Sequence, residues 1–157
     1  MSWWDGIWAF HVNREVLHRK FHFMMLEEQL RKNWFFKYTG GFSVTKKSKS
    51  IIETIYYTAE LLQNPENSVL MFPQGEIQSM HLHQFHFENG IGKILGKTSD
   101  PFQIVMLANL VDYFSDVKPN VAIYFEEFSG KPVKNEIEKA YNDFYGKCIR
   151  LQQLIKS

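Results

Sequence analysis

Apolar and polar positions fall into short blocks whose periods switch along the chain. KFHFMML (20–26) is an apolar run of strand length, and GFSV (41–44) is a second, shorter one. Between them EEQLRKNWFFKY (27–38) predicts a helix ended by Gly40-Gly41, since glycine readily takes the left-handed backbone that closes a helix. Ser50 and Glu53 form a capping box. Behind it Ile51, Ile52, Ile55, Ala59 and Leu62 keep helical spacing until Asn64-Pro65 stops the run. SVLMF (68–72) is continuously apolar and ends at Pro73, the pattern of a central strand buried on both faces.

Ile91 to Leu95 predict a short helix, and FQIVMLANLV (102–111) and NVAIYFEEF (120–128) predict strands. In the last segment Ile137, Tyr141, Phe144, Cys148, Leu151 and Ile155 recur at spacings of four and three, the apolar stripe of one helix. At the start, Asp5 is placed to cap a helix beginning near Gly6. Strands alternating with helices, with no short hairpin turns, predict an α/β fold. The expectation is one domain over residues 1–157, built on a mixed, largely parallel sheet flanked by helices on both faces.

Composition narrows the chemistry. Hydrophobic residues make up 45% and charged residues 22%, ordinary for a globular domain. The aromatic share of 16% suits a core or an acyl-chain-facing surface. A net charge of +1 gives no global field for nucleic acid, so no nucleic-acid partner is expected. The single cysteine, Cys148, excludes an internal disulfide and a cysteine-built zinc site, and it fits a reducing, cytoplasmic setting. Residues 1–20 do not read as a secretory signal. The most apolar stretch is half the roughly 20 residues a spanning helix needs, so membrane contact is expected to be peripheral.

Three stretches carry candidate chemistry. In LMFPQGE (70–76) an apolar strand runs into Phe72-Pro73, and Gln74 and Glu76 flank Gly75. Ligands of open α/β sheets bind beyond the carboxyl ends of strands, and glycine lets backbone approach them closely. A plain strand-to-loop turn has the same pattern. In GGFSVTKK (40–47) a strand delivers Lys46 and Lys47 at its end, either as a phosphate-binding point charge or as a solvated turn. HLHQFH supplies His81, His83 and His86, whose spacing fits no helical metal pair. A loop of solvent-facing histidines is the default there. His11, His18 and His22 have no nucleophile placed beside them in the sequence.

In order and spacing, SWWDG (2–6), GGFSVTK (40–46), FPQG (72–75), FENGI (87–91) and FQIVMLANL (102–110) resemble the blocks of the glycerolipid acyltransferase superfamily, typified by 1-acyl-glycerol-3-phosphate acyltransferases. The resemblance covers residues 1 to about 125. It implies a glycerol-3-phosphate acyltransferase-like fold and transfer of a fatty acyl group from acyl-CoA or acyl carrier protein to a lipid hydroxyl. No cofactor is implied beyond that thioester co-substrate. The implied partners are the acyl thioester donor, a lysophospholipid-like acceptor and a peripheral membrane surface, with the protein at the inner face of the membrane.

By the same resemblance Asp5 is the orienting acid of a histidine–aspartate pair. Lys46 and the loop Phe72, Pro73, Gln74, Gly75 and Glu76 position the acceptor. Trp3, Trp4, Trp8, or Trp34 with Phe35 and Phe36, would meet acyl chain or bilayer. The family's histidine stands five positions before the aspartate, and counted back from Asp5 that position falls just before Met1. The expectation is a chain lacking its first strand and its base, with little or no transferase activity as given. Gln74 replaces the family's glutamate, Ile77 its arginine, Lys46 its usual arginine and Ala108 its proline. The weakened phosphate set implies a hydroxylated acceptor with little or no phosphate. Two other readings stand beside this one: a non-catalytic lipid- or partner-binding remnant of the same fold, and a metal-dependent hydrolase using His81, His83, His86 and Glu88.

Overall fold

The computed structural model describes residues 4–32, 40–44, 50–79, 81–99, 101–115 and 117–155. In chain order these form α1 (Trp4–Val12), β1 (Lys20–Leu26), α2 (Glu27–Lys32), β2 (Gly41–Val44), α3 (Ser50–Gln63), β3 (Asn67–Leu70), α4 (Asn89–Leu95), β4 (Ile104–Asp112), β5 (Asn120–Phe128) and α5 (Lys134–Leu154). A π-helical turn, Asn13–Leu17, extends α1. His18 ends it in the left-handed region at φ 53°.

The fold is mixed α/β. β1 lies between β2 and β3, parallel to both. β4 and β5 pair antiparallel along their whole lengths, from Ile104 opposite Phe128 to Asp112 opposite Asn120. Two expectations are thereby corrected. The 68–72 run is not a central strand among the described residues, because β3 occupies the edge and β1 the middle. β4 and β5 form a separate antiparallel pair, so the described strands make two sheets and not one. An apolar run reports burial but not the identity of its neighbours, which is why both points escape the pattern.

Two cores result. On one face of β1, Phe23 packs with Leu30 of α2, joined by Phe21, Met25 and Leu70. The period of two puts Phe21, Phe23 and Met25 on that same face. The larger core joins Phe85, Phe87 and Leu95 to Met106, Ala108 and Leu110 of β4 and to Ile137, Phe144, Tyr145 and Cys148 of α5.

The helix faces rotate slightly from expectation. In α3, Thr54, Ile55, Thr58 and Ala59 are buried while Ile52 is 57% exposed. The threonine hydroxyls allow this, because Thr54 Oγ1 donates to Ser43 O at 3.3 Å and Thr58 Oγ1 to Thr54 O at 2.7 Å. In α5, Leu151 is exposed and Ile155 lies past the helix end, while Gln152 turns inward. Tyr124 Oη donates to Gln152 Oε1 at 2.8 Å, and Gln152 Nε2 donates to Asp112 Oδ2 at 2.7 Å. Asp5 is not a cap either: α1 already begins at Trp4, and Asp5 stands in its first turn. The Ser50 side chain lies outside what is described, as does 33–38 of the expected long helix.

Candidate functional site

After β3 the chain passes Met71 and Phe72 and reverses. The Gly75 N–H donates to Phe72 O at 3.0 Å, closing a four-residue turn with Pro73 second. Proline's fixed φ suits that place, and Gly75 stands at φ 66°, where a side chain would be strained. The turn carries Gln74 inward, to 8% exposure, and leaves Glu76 and Ile77 outside. Glu76 Oε1 accepts from Gln78 Nε2 at 2.9 Å. Gln74 Oε1 is buried and has no hydrogen-bond partner among the described residues. Pro73 O accepts the Glu88 N–H at 2.7 Å, which ties the turn to the block containing Phe87.

Asp5 is gripped from a different element. Asn109 of β4 donates through Nδ2 to Asp5 Oδ1 at 3.0 Å, across 104 residues of sequence. Asn109 Oδ1 is a second buried oxygen with no partner among the described residues. Tyr141 of α5 feels the charge of Asp5. Its hydroxyl donates to Leu107 O at 3.2 Å, and its pKa is held far above the usual tyrosine range, mainly by burial, with Tyr145 and the negative charge of Asp5 adding to it. The Tyr141 ring lies 5.7 Å from that of Phe87. The charge of Asp5 thus acts on Tyr141, the Tyr141 ring neighbours Phe87, and the Glu88 N–H next to it holds Pro73 O.

Two side chains of α5 hold the middle of this path. Asn142 Oδ1 accepts the Phe85 N–H at 2.7 Å, and its Nδ2 donates to Phe85 O at 3.0 Å. Glu138 Oε2 accepts the Phe87 N–H at 2.7 Å. Segment 85–87 is thus fixed by side chains as a strand would be fixed by a neighbouring backbone.

Asp5 is thus tied to β4 through Asn109, and the loop 72–76 to the Phe87 block through the Glu88 N–H. Lys46, Lys47, Trp3, Trp34, Phe35 and Phe36 lie outside the described residues. Trp4 is half exposed, and Trp8 is partly buried on α1. Asn109 is the residue that sequence reading missed, although a lone amide inside an apolar strand was a usable signal. His81, His83 and His86 are all exposed. His86 Nδ1 stands 3.8 Å from Glu138 Oε1, and among the described residues no three metal-binding side chains converge. Cys148 is 1% exposed, and burial pushes its thiol up to about 11, so at neutral pH it is an inert core residue. Two open grooves of about 310 and 390 Å³, lined by residues that include Phe114, Gln152 and Ile155, share no residue with Asp5 or the 72–76 loop.

Among the described residues no helix is long and apolar enough to cross a membrane. Comparison with protein-family models, curated proteins and solved structures finds no match to this chain.

Proposed function

We propose that this chain is an acyltransferase domain of glycerol-3-phosphate acyltransferase-like fold. Its reaction is transfer of a fatty acyl group from acyl-CoA or acyl carrier protein to a hydroxyl of a lipid at a membrane surface. The observation that carries the reading is the Asn109–Asp5 hydrogen bond, which holds a carboxylate in fixed orientation against β4.

In this reading a histidine oriented by Asp5 is the general base. Its imidazole takes the proton of the acceptor hydroxyl as that oxygen attacks the thioester carbonyl. Asp5 keeps the ring in the useful tautomer and stabilises the imidazolium. The C–S bond then breaks, and the imidazolium returns its proton to the leaving thiolate. The lipid oxygen and acyl carbon end joined, and the donor leaves as a thiol. No covalent acyl-enzyme is required, in keeping with a Cys148 that is buried and protonated.

The test is transfer of a radiolabelled acyl group from acyl-CoA to monoacyl lipids. It compares the 157-residue chain with a form carrying an apolar strand segment ending in Asn-His ahead of Met1. The extended form is expected to turn over, and Asp5→Asn in it to cost roughly 10³–10⁴-fold, as for other imidazole-orienting acids. The shorter chain is expected at background. Turnover by either form that is indifferent to Asp5→Asn would remove the reading.

A further inference from the structure

A primary amide buried to 92% without a partner for its oxygen is expensive to keep, so Gln74 calls for a ligand. We propose that Gln74 is a head-group subsite for a neutral polyol, such as the glycerol of a monoacylglycerol, and that it selects against phosphate. The lipid nature of the ligand rests on the acyl-transfer reading; the head-group preference rests on the chemistry of this turn.

The amide decides the ligand class. Side by side it offers an acceptor, Oε1, and a donor, Nε2. A hydroxyl both donates and accepts, so one or two hydroxyls match it completely. A phosphate only accepts and leaves Oε1 unmet; an ammonium only donates and leaves Nε2 unmet. Charge points the same way. Glu76 follows two residues after Gln74, the Glu88 N–H holds Pro73 O, and Glu138 holds Phe87 N–H. His86 Nδ1 stands 3.8 Å from Glu138 Oε1 and faces solvent. Among the described residues Glu76, Glu88 and Glu138 thus outnumber the cation Lys134, which donates to Asn89 Oδ1 at 3.2 Å, and an excess of carboxylates disfavours a phosphate dianion. The position that would answer with an arginine is Ile77, which is 61% exposed. Asn109 Oδ1, beside Asp5, is a second buried oxygen waiting for a donor.

The experiment is calorimetric binding of monomeric 1-decanoylglycerol and 1-decanoyl-lysophosphatidic acid to the full chain, with no thioester present. The glycerol lipid is expected to bind about tenfold or more tightly than the phosphate lipid, the scale of preference set by one buried hydrogen-bonding group. Gln74→Leu is expected to abolish the preference by weakening the neutral lipid alone. Gln74→Glu, which exchanges the donor for a second acceptor and adds a negative charge, is expected to weaken the neutral lipid without improving binding of the phosphate lipid. Equal affinities, tighter phosphate binding, binding of neither lipid, or a folded Gln74→Leu chain that retains the preference would overturn the proposal. If Gln74→Leu does not fold, the two lipids on the unaltered chain and on Gln74→Glu still decide. The preference is expected to survive Asp5→Asn. A chain that shows it yet transfers no acyl group keeps the subsite and removes only the transfer reading.

Discussion

At the scale of single residues, Cys148 and Gly40 show how far local environment sets behaviour. Burial holds the Cys148 thiol protonated up to about 11 in the folded chain, whereas a free thiol ionises near pH ~8.5. Between those values the unfolded chain has released a proton that the folded chain keeps. Stability contributed by this group is therefore present below about pH 8.5 and is lost as pH rises towards 11. Tyr141 and Tyr145, both raised chiefly by burial, act in the same direction at still higher pH. The urea midpoint should fall from pH 8 to pH 10.5, and Cys148→Ala should flatten that fall while lowering the starting value. Gly40 is held at φ 90°, and a Cβ there would lie 2.2 Å from Phe21 O. Gly40 O also accepts the Phe23 N–H at 3.1 Å, so the close approach belongs to the pairing of β1 with β2. Gly40→Ala is expected to cost about 2–4 kcal/mol in chemical denaturation, combining a left-handed backbone with a backbone clash.

At the scale of elements, α5 acts as both core and clamp. Ile137, Phe144, Tyr145 and Cys148 give it one buried face, while Glu138 and Asn142, one turn apart, hold the backbone of segment 85–87. Asn142→Ala strands the Phe85 N–H and C=O beside a ring that is 6% exposed, and should cost about 1–3 kcal/mol by denaturant midpoint. Asn142→Asp keeps the acceptor and loses the donor, and should cost less if Phe85 O finds water. The periods of this helix and of β1, β2, β4 and β5 were legible in the sequence because each has a face that must be buried. Pairing was not legible: residues 113–119 carry no two-residue Asn-Gly or Asp-Gly turn to announce a hairpin. Polar residues serving in buried places were equally silent, as Thr54, Thr58 and Gln152 show by satisfying their own hydrogen bonds. Of the candidate site, Asp5 and the 72–76 turn could be named from motif spacing. Asn109 could be flagged as a lone amide in an apolar strand, but its role exists only once β4 meets α1.

At the scale of the whole molecule, α1 and its π-helical extension tie the two sheets together. Asp5 is held by Asn109 of β4, and Asn13 Oδ1 accepts Ser68 Oγ of β3 at 2.7 Å while its Nδ2 donates to Arg19 O at 2.8 Å. The Glu88–Pro73 hydrogen bond is another tie. The candidate residues therefore lie along the seam between a large core, under α5 and the β4–β5 hairpin, and a smaller one around Phe23 and Leu30. Cores of unequal size open at unequal free energies, and a seam between them is where local opening costs least. Native-state hydrogen exchange should show β4, β5 and α5 most protected, with β1, β2 and β3 opening at lower denaturant as a separate unit. Asn109→Ala should lower protection of α1 and of the β3 amides without changing the large core, because it cuts one tie between the units. Slowing exchange in α1 and the 72–76 turn on addition of 1-decanoylglycerol would place the ligand on the seam. A single exchange isotherm for all strands, unmoved by Asn109→Ala, would show that the two cores open as one and that the seam has no independent motion for a ligand to use.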